Sequence, residues 1–317
     1  MTQKIVVKQA EWNDPKDKFA YARALELGNI LFFDKIPFQF PQEEMQFLLA
    51  QKQTGSKGRK NIAYKPRSDM ISNHDCSDPK TIAQMHEILR NYSRRVSDFL
   101  AKLLSPYAPS WQLDYASFRP FQEKGRKLRT RARNDLLHVD AFPTRPMHGS
   151  RILRFFTNIN PVESRRWVTS KSCGELIEEF GGKAVPFPKT VGYTLKDRLS
   201  QKMAQVFRRA KIPIVLRSPY DAFMLQMHHF LKENKKFQRD AQKDFWEFPP
   251  FSCWAVYTDL VSHAALSGQY ALEQTFIIPQ NALLLPDQSP VSILERLSKR
   301  NMVNPIYSSQ MFTNASR

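Results

Sequence analysis

This sequence has few cysteines, few glycines, no long apolar run and a shortage of acidic side chains, and each shortage removes a class of protein. Its three cysteines, Cys76, Cys173 and Cys253, are odd in number, far apart and in no Cys-x-x-Cys pair, so they read as reduced thiols rather than a disulfide frame or a zinc site. Metal ligation must then come from histidine and carboxylate. The ten glycines in 317 residues form no dinucleotide or P-loop motif, which argues against a nucleotide cofactor. Apolar residues nowhere run for the roughly 20 positions that span a bilayer. Residues 1–8 turn polar and charged before reaching signal-peptide length, so a cytoplasmic protein is expected.

Acidic residues are outnumbered 30 to 48 by lysine and arginine, giving a formal charge of +18. Such an excess predicts a polyanionic partner: nucleic acid, an anionic membrane surface, or a phosphorylated or carboxylated substrate. The basic residues cluster at Lys57-Gly58-Arg59-Lys60 with Lys65 and Arg67, and again through Lys124, Arg126, Lys127, Arg129, Arg131 and Arg133. The second cluster runs into the segment that carries the chemistry, which predicts a basic rim at the mouth of a site.

That segment is Leu137-His138-Val139-Asp140-Ala141-Phe142-Pro143, with a partner far downstream in Ser262-His263-Ala264. Two imidazoles and a carboxylate on one face of a metal, with the opposite face open, are the facial triad of non-haem Fe(II) oxygenases. Three positions then remain for a bidentate 2-oxo acid and dioxygen. Neutral imidazoles and a carboxylate suit Fe(II), and a hydrolytic zinc with an open position stays as an alternative. His74, His148, His228 and His229 are left out of the site. His228 and His229 are adjacent in a helical segment, where neighbours diverge by about 100°, and a packed or surface role is expected for both.

The pattern along the chain predicts an α+β protein with a double-stranded β-helix, or cupin-like jelly-roll, core. One domain is expected over residues 1–317, with a mainly helical part at 1–110 (helices near 15–27, 41–49 and 80–104) and a loop over 51–72. The jelly-roll core follows at 111–286, interrupted by a helical insertion at about 190–237, with a C-terminal helix and tail at 287–317. Strands are expected at 115–119, 151–160, 253–261 and 271–278. Trp254 and Tyr257, just before His263, are read as core or pocket-shaping residues.

A 2-oxoglutarate co-substrate needs a cation for its distal carboxylate, and arginine pairs both oxygens. The region after His263 supplies none, whereas Arg151 and Arg154 lie on the strand after His138. Arg154 is the first candidate anchor and Arg151 the second. They are three residues apart, so at most one should enter the barrel.

The motifs Ser117-Phe118-Arg119-Pro120, Leu137-His138-Val139-Asp140-Ala141-Phe142-Pro143, Gly149-Ser150-Arg151-Ile152-Leu153-Arg154, Asn158-Ile159-Asn160-Pro161, Thr258-Asp259-Leu260-Val261-Ser262-His263-Ala264 and Glu273-Gln274-Thr275-Phe276 together resemble the Kdo 3-hydroxylases. These are Fe(II)- and 2-oxoglutarate-dependent dioxygenases of Gram-negative bacteria. The resemblance implies hydroxylation at carbon 3 of 3-deoxy-D-manno-oct-2-ulosonic acid (Kdo) on lipid A, at the cytoplasmic face of the inner membrane. Peripheral contact with that anionic surface fits the basic charge. Arg119, Arg131, Arg133 and Arg145 are the candidates for binding the anionic substrate. Two other readings stand beside this one: a 2-oxoglutarate-dependent peptide hydroxylase, and a non-catalytic basic cupin-like protein that binds anions. No aromatic-basic nucleic-acid motif is present, so a nucleic-acid partner is not expected.

Overall fold

The computed structural model describes residues 2–52, 61–188 and 215–303. The first part comprises β1 (Lys4–Val6), α1 (Ala20–Glu26), β2 (Ile30–Phe33), α2 (Gln42–Leu49), β3 (Ile62–Lys65), β4 (Met70–Ser72) and α3 (Pro79–Leu103). There follow β5 (Gln112–Arg119), β6 (Arg151–Asn158), β7 (Arg165–Ser172), α4 (Cys173–Phe180), α5 (Pro219–Glu233), α6 (Lys235–Asp240), β8 (Asp244–Phe248), β9 (Cys253–Tyr257), β10 (Val261–Ser267), β11 (Ala271–Ile278) and α7 (Pro290–Ser298). The strands form two sheets, one of eight in the order β1-β2-β9-β6-β11-β5-β3-β4 and one of three in the order β10-β7-β8. A backbone bridge between His138 and His263 adds the metal-motif segment to the edge of the smaller sheet. These are the two faces of the expected jelly-roll.

Period-two alternation divides the large sheet cleanly. Along β6, Leu153 and Phe155 join the core on the helical side, where Phe155 meets Phe99 of α3 with ring centroids 6.0 Å apart. Arg154 and Phe156 face the smaller sheet and line the space between the two. Helix α3 begins where expected, with Asp78 accepting a hydrogen bond from the Thr81 amide at 2.9 Å and Pro79 in its first turn, a favourable start. Part of the inter-sheet space is filled by Phe156, Trp167, Phe248, Trp254, Val256 and Ala265. Trp254 stacks on Phe248 at 3.9 Å, so it is core and not pocket wall. Tyr257 is also buried, outside the cavity lining. The rest of the inter-sheet space is a polar cavity.

Two expectations need correction. The mainly helical N-terminal part also supplies strands: β1 and β2 extend one edge of the large sheet, and β3 and β4 extend the other. The loop expected at 51–72 therefore contains a hairpin, with residues 53–60 outside the described set. The apolar run 253–261 is two strands, because the chain turns at Thr258-Asp259-Leu260 to pass from the large sheet to the small one. Strands β7 and β8 were not anticipated. The part of the expected helical insertion before residue 215 lies outside the described residues, whereas α5 falls within that insertion. Helix α7 buries Val291, Ile293 and Leu294, so its apolar face is docked on the protein.

Candidate active site

His138, Asp140 and His263 converge at one end of a cavity of about 420 Å³ between the sheets. The backbones of His138 and His263 exchange hydrogen bonds of 3.1 and 2.9 Å, an antiparallel pair whose side chains share one face. Their ring centroids are 4.7 Å apart. Asp140, two residues on, returns to the same face and lies 3.6 Å from His138 Nε2. Trp167 stacks on the His263 ring at 5.2 Å and fixes its plane.

A second neighbour of each ring selects its tautomer. His138 Nδ1 lies 2.7 Å from the Leu136 carbonyl and His263 Nδ1 3.0 Å from the Val261 carbonyl. A carbonyl only accepts, so Nδ1 carries the proton and Nε2 keeps a bare lone pair, the usual arrangement of a metal-ligating histidine. Burial holds both imidazoles below their ordinary pKa and hence neutral. Burial alone would raise the Asp140 pKa, but the Arg154 guanidinium beside it outweighs burial and keeps the carboxyl ionised. Asp140 Oδ2 is buried with no hydrogen bond; its ion pair with Arg154 is 3.2 Å long. Two bare nitrogens and an ionised oxygen with spare acceptor capacity fit a divalent cation.

The cavity also contains His228 of α5, which the sequence reading left out. Its ligand atom and those of His138 and Asp140 all lie within 4.8 Å of one another, and its Nδ1 is 2.7 Å from the Val139 carbonyl. Adjacency to His229 gave no hint of this. The signal that reveals His228 is the docking of α5 against the metal-motif segment, a tertiary event. His74 and His148 do not line the cavity.

Arg154 enters the cavity, linked at 3.2 Å both to Asp140 and to Glu273. Arg151, the second candidate anchor, does not: it is fully buried on the opposite face of β6, bonded at 2.8 Å to Asp259 and stacked over Tyr257. Arg119 lies deep on β5, between Glu273 and Glu123. Glu273 and Lys232 of the lining were missed altogether, as was Arg165, which is buried on β7 and 3.3 Å from Glu123. The Nε atoms of Arg119, Arg154 and Arg165 are all buried without a hydrogen-bond partner, an unusual set of idle donors around one cavity. Of the expected rim residues, Arg131 and Arg145 line the cavity, paired with Glu233 and Asp114. Arg133 does not line it, being held by Asp135.

A jelly-roll with two bare imidazoles and a carboxylate at the end of an arginine-rich cavity defines a non-haem metal enzyme that takes anionic ligands. The sequence matches the description of the 3-deoxy-D-manno-oct-2-ulosonic acid (Kdo) hydroxylases over residues 8–301, and the chain belongs to that family. It is similar to a crystal structure of the Kdo hydroxylase KdoO, a non-haem Fe(II) alpha-ketoglutarate-dependent dioxygenase, in complex with cobalt(II). That chain is 31% identical, with a TM-score of 0.81, and the match covers 95% of this chain and 98% of the other. A KdoO complex with alpha-ketoglutarate and Fe(III) matches at 30% identity and a TM-score of 0.79, covering 95% and 97%. A search of curated proteins returns no match.

Proposed function

We propose that this protein hydroxylates carbon 3 of Kdo carried on lipid A. Its enzyme class is that of the family, an Fe(II)- and 2-oxoglutarate-dependent dioxygenase. When bound, the metal and the 2-oxo acid supply the oxidising power to insert one atom of dioxygen into a C–H bond, the co-substrate leaving as succinate and carbon dioxide. His138, Asp140 and His263 hold the metal. Arg154 receives the distal carboxylate of 2-oxoglutarate, with Arg119 and Arg165 beside it, since their buried Nε donors have no other partner. Arg131 and Arg145 at the mouth draw in the anionic sugar.

The observation that carries this reading is the convergence of bare Nε2 atoms and an ionised Asp140 in a cavity walled by guanidinium groups. The lipid-linked substrate is supported by the charge of +18, which favours an anionic surface by roughly 1 kcal/mol per nearby cation. Among the described residues no helix is long and apolar enough to cross a membrane, so peripheral contact is the mode proposed. The test is mass spectrometry of Kdo-lipid A after aerobic incubation with the protein, Fe(II) and 2-oxoglutarate, beside His138→Ala. One added oxygen on the Kdo fragment, absent with the variant, is expected. Unchanged glycolipid from folded, iron-loaded protein would overturn the assignment.

A further inference from the structure

Six arginines and one lysine line the cavity. Every arginine is ion-paired, to Glu123, Glu273, Asp140, Asp114 or Glu233. Lys232 is different. It is 5% exposed, and its ammonium makes one hydrogen bond, 3.1 Å to the Arg131 carbonyl, and no ion pair among the described residues. The carboxylates whose field it feels are Asp140 and Asp135, and each is held by an arginine, Arg154 and Arg133 respectively.

A buried ammonium without a carboxylate is expensive, several kcal/mol after relaxation. Burial accordingly depresses its pKa to about 8. Fastening α5 to the Arg131 carbonyl does not call for that expense, because a glutamine amide donates the same bond without a charge. An ammonium has three donors, and one is used. Lys232 is also four residues after His228 on α5, so both lie on one helix face, and both line the cavity that holds the metal ligands. The arrangement lacks one thing, an anion brought in from outside.

We propose that Lys232 is a specificity-determining residue that binds the carboxylate of the Kdo unit and so positions the sugar beneath α5, facing the metal. The proposal rests on the Kdo hydroxylase reading and deepens it. The 2-oxo acid is the other carboxylate source, and in the proposed function it goes to Arg154 and Arg119 of the large sheet and Arg165 of the small one. A Kdo carboxylate at Lys232 would neutralise the one lining cation that has no acidic partner among the described residues, through a charge-assisted hydrogen bond.

The test is calorimetric titration of Kdo methyl glycoside and of its carboxymethyl ester into the cobalt-loaded protein, as wild type, Lys232→Gln and Lys232→Arg. Wild type should bind the free acid at least about 10-fold more tightly than the ester. Lys232→Gln should lose most of that preference while leaving the KM for 2-oxoglutarate unchanged, and Lys232→Arg should retain part of it. Equal preference for the acid in wild type and Lys232→Gln overturns the assignment of Lys232 and leaves the Kdo reading standing. A raised KM for 2-oxoglutarate with unchanged Kdo binding also overturns it, by giving the ammonium to the co-substrate. No binding of either glycoside to wild type overturns both readings together. If Lys232→Gln does not fold, Lys232→Arg and the wild-type acid-to-ester ratio decide, an absent preference being the adverse result.

Discussion

At the scale of single residues, backbone carbonyls set the chemistry of the centre as much as the side chains do. Of the four histidines that line the cavity, His138, His228 and His263 each have Nδ1 against a main-chain carbonyl, which leaves Nε2 as a bare lone pair. Three imidazoles are therefore available to a triad that needs two. The backbone pairing of His263 with His138 favours His263 as the proposed second imidazole ligand, whereas it is His228 whose ligand atom lies within 4.8 Å of those of His138 and Asp140. Substituting His138→Ala or His263→Ala should weaken Co(II) binding at least about 100-fold, and His228→Ala about 10-fold or less, the range seen for groups around a metal's own ligands. A titration in which His228→Ala is as damaging as His263→Ala would reverse their roles. Arg154 is tested separately. Losing a charged hydrogen-bond partner of about 1.5–3 kcal/mol should raise the KM for 2-oxoglutarate roughly 10- to 100-fold in Arg154→Met, whereas Arg151→Met should alter thermal stability and leave that KM unchanged.

At the scale of elements, the segment around His138 is an extended edge segment held by one bridge, and its second edge is closed by side chains. One side pairs with β10. On the other, Gln238 of α6 accepts from the Leu137 amide at 2.9 Å and donates to the Leu137 carbonyl at 2.8 Å, and His228 bonds the Val139 carbonyl. A glutamine amide here stands in for the missing neighbouring strand. Gln238→Ala would remove the partner of three main-chain groups, the Leu137 amide and carbonyl and the Leu231 carbonyl, at about 1–3 kcal/mol each. Its melting temperature should fall and its Co(II) affinity should drop with it; a lower melting temperature with unaltered metal binding would show that β10 alone positions the ligands. The turn between β10 and β11 matters for Arg165 on β7 of the same smaller sheet. Gly268 has φ +119° and a Cβ there would come within 2.9 Å of Arg165, whose Nη1 donates to the Gly268 carbonyl at 3.1 Å. Only glycine allows that turn and the buried arginine to coexist.

At the scale of the whole molecule, electrostatics act in two places. Inside, Glu123 is buried among Arg165, Arg119 and Arg126; burial alone would raise its pKa, but the guanidinium groups hold it below the ordinary value of 4.5. Between the folded and unfolded pKa values the unfolded chain binds more protons, so this stabilisation is present above about pH 4.5 and is lost as pH falls through the folded value. Glu123→Gln should be less stable at neutral pH yet show a shallower acid limb in a plot of melting temperature against pH; an unchanged limb would place the acid sensitivity elsewhere. Outside, the +18 charge predicts sedimentation with anionic lipid vesicles that weakens as salt is raised; equal association with neutral vesicles would remove the electrostatic account. The sequence by itself determined the class of fold, that His138, Asp140 and the distant His263 line one cavity, and that at most one of Arg151 and Arg154 could enter the barrel, because two-residue alternation and side-chain chemistry are local properties. It did not determine the four N-terminal strands on the sheet edges, the corner at Thr258-Asp259-Leu260, or the places of His228, Glu273, Arg165 and Lys232. Those were decided by packing between segments distant in the chain. A short edge strand forms only against its partner, and a histidine on a helix becomes part of a metal site only when that helix docks.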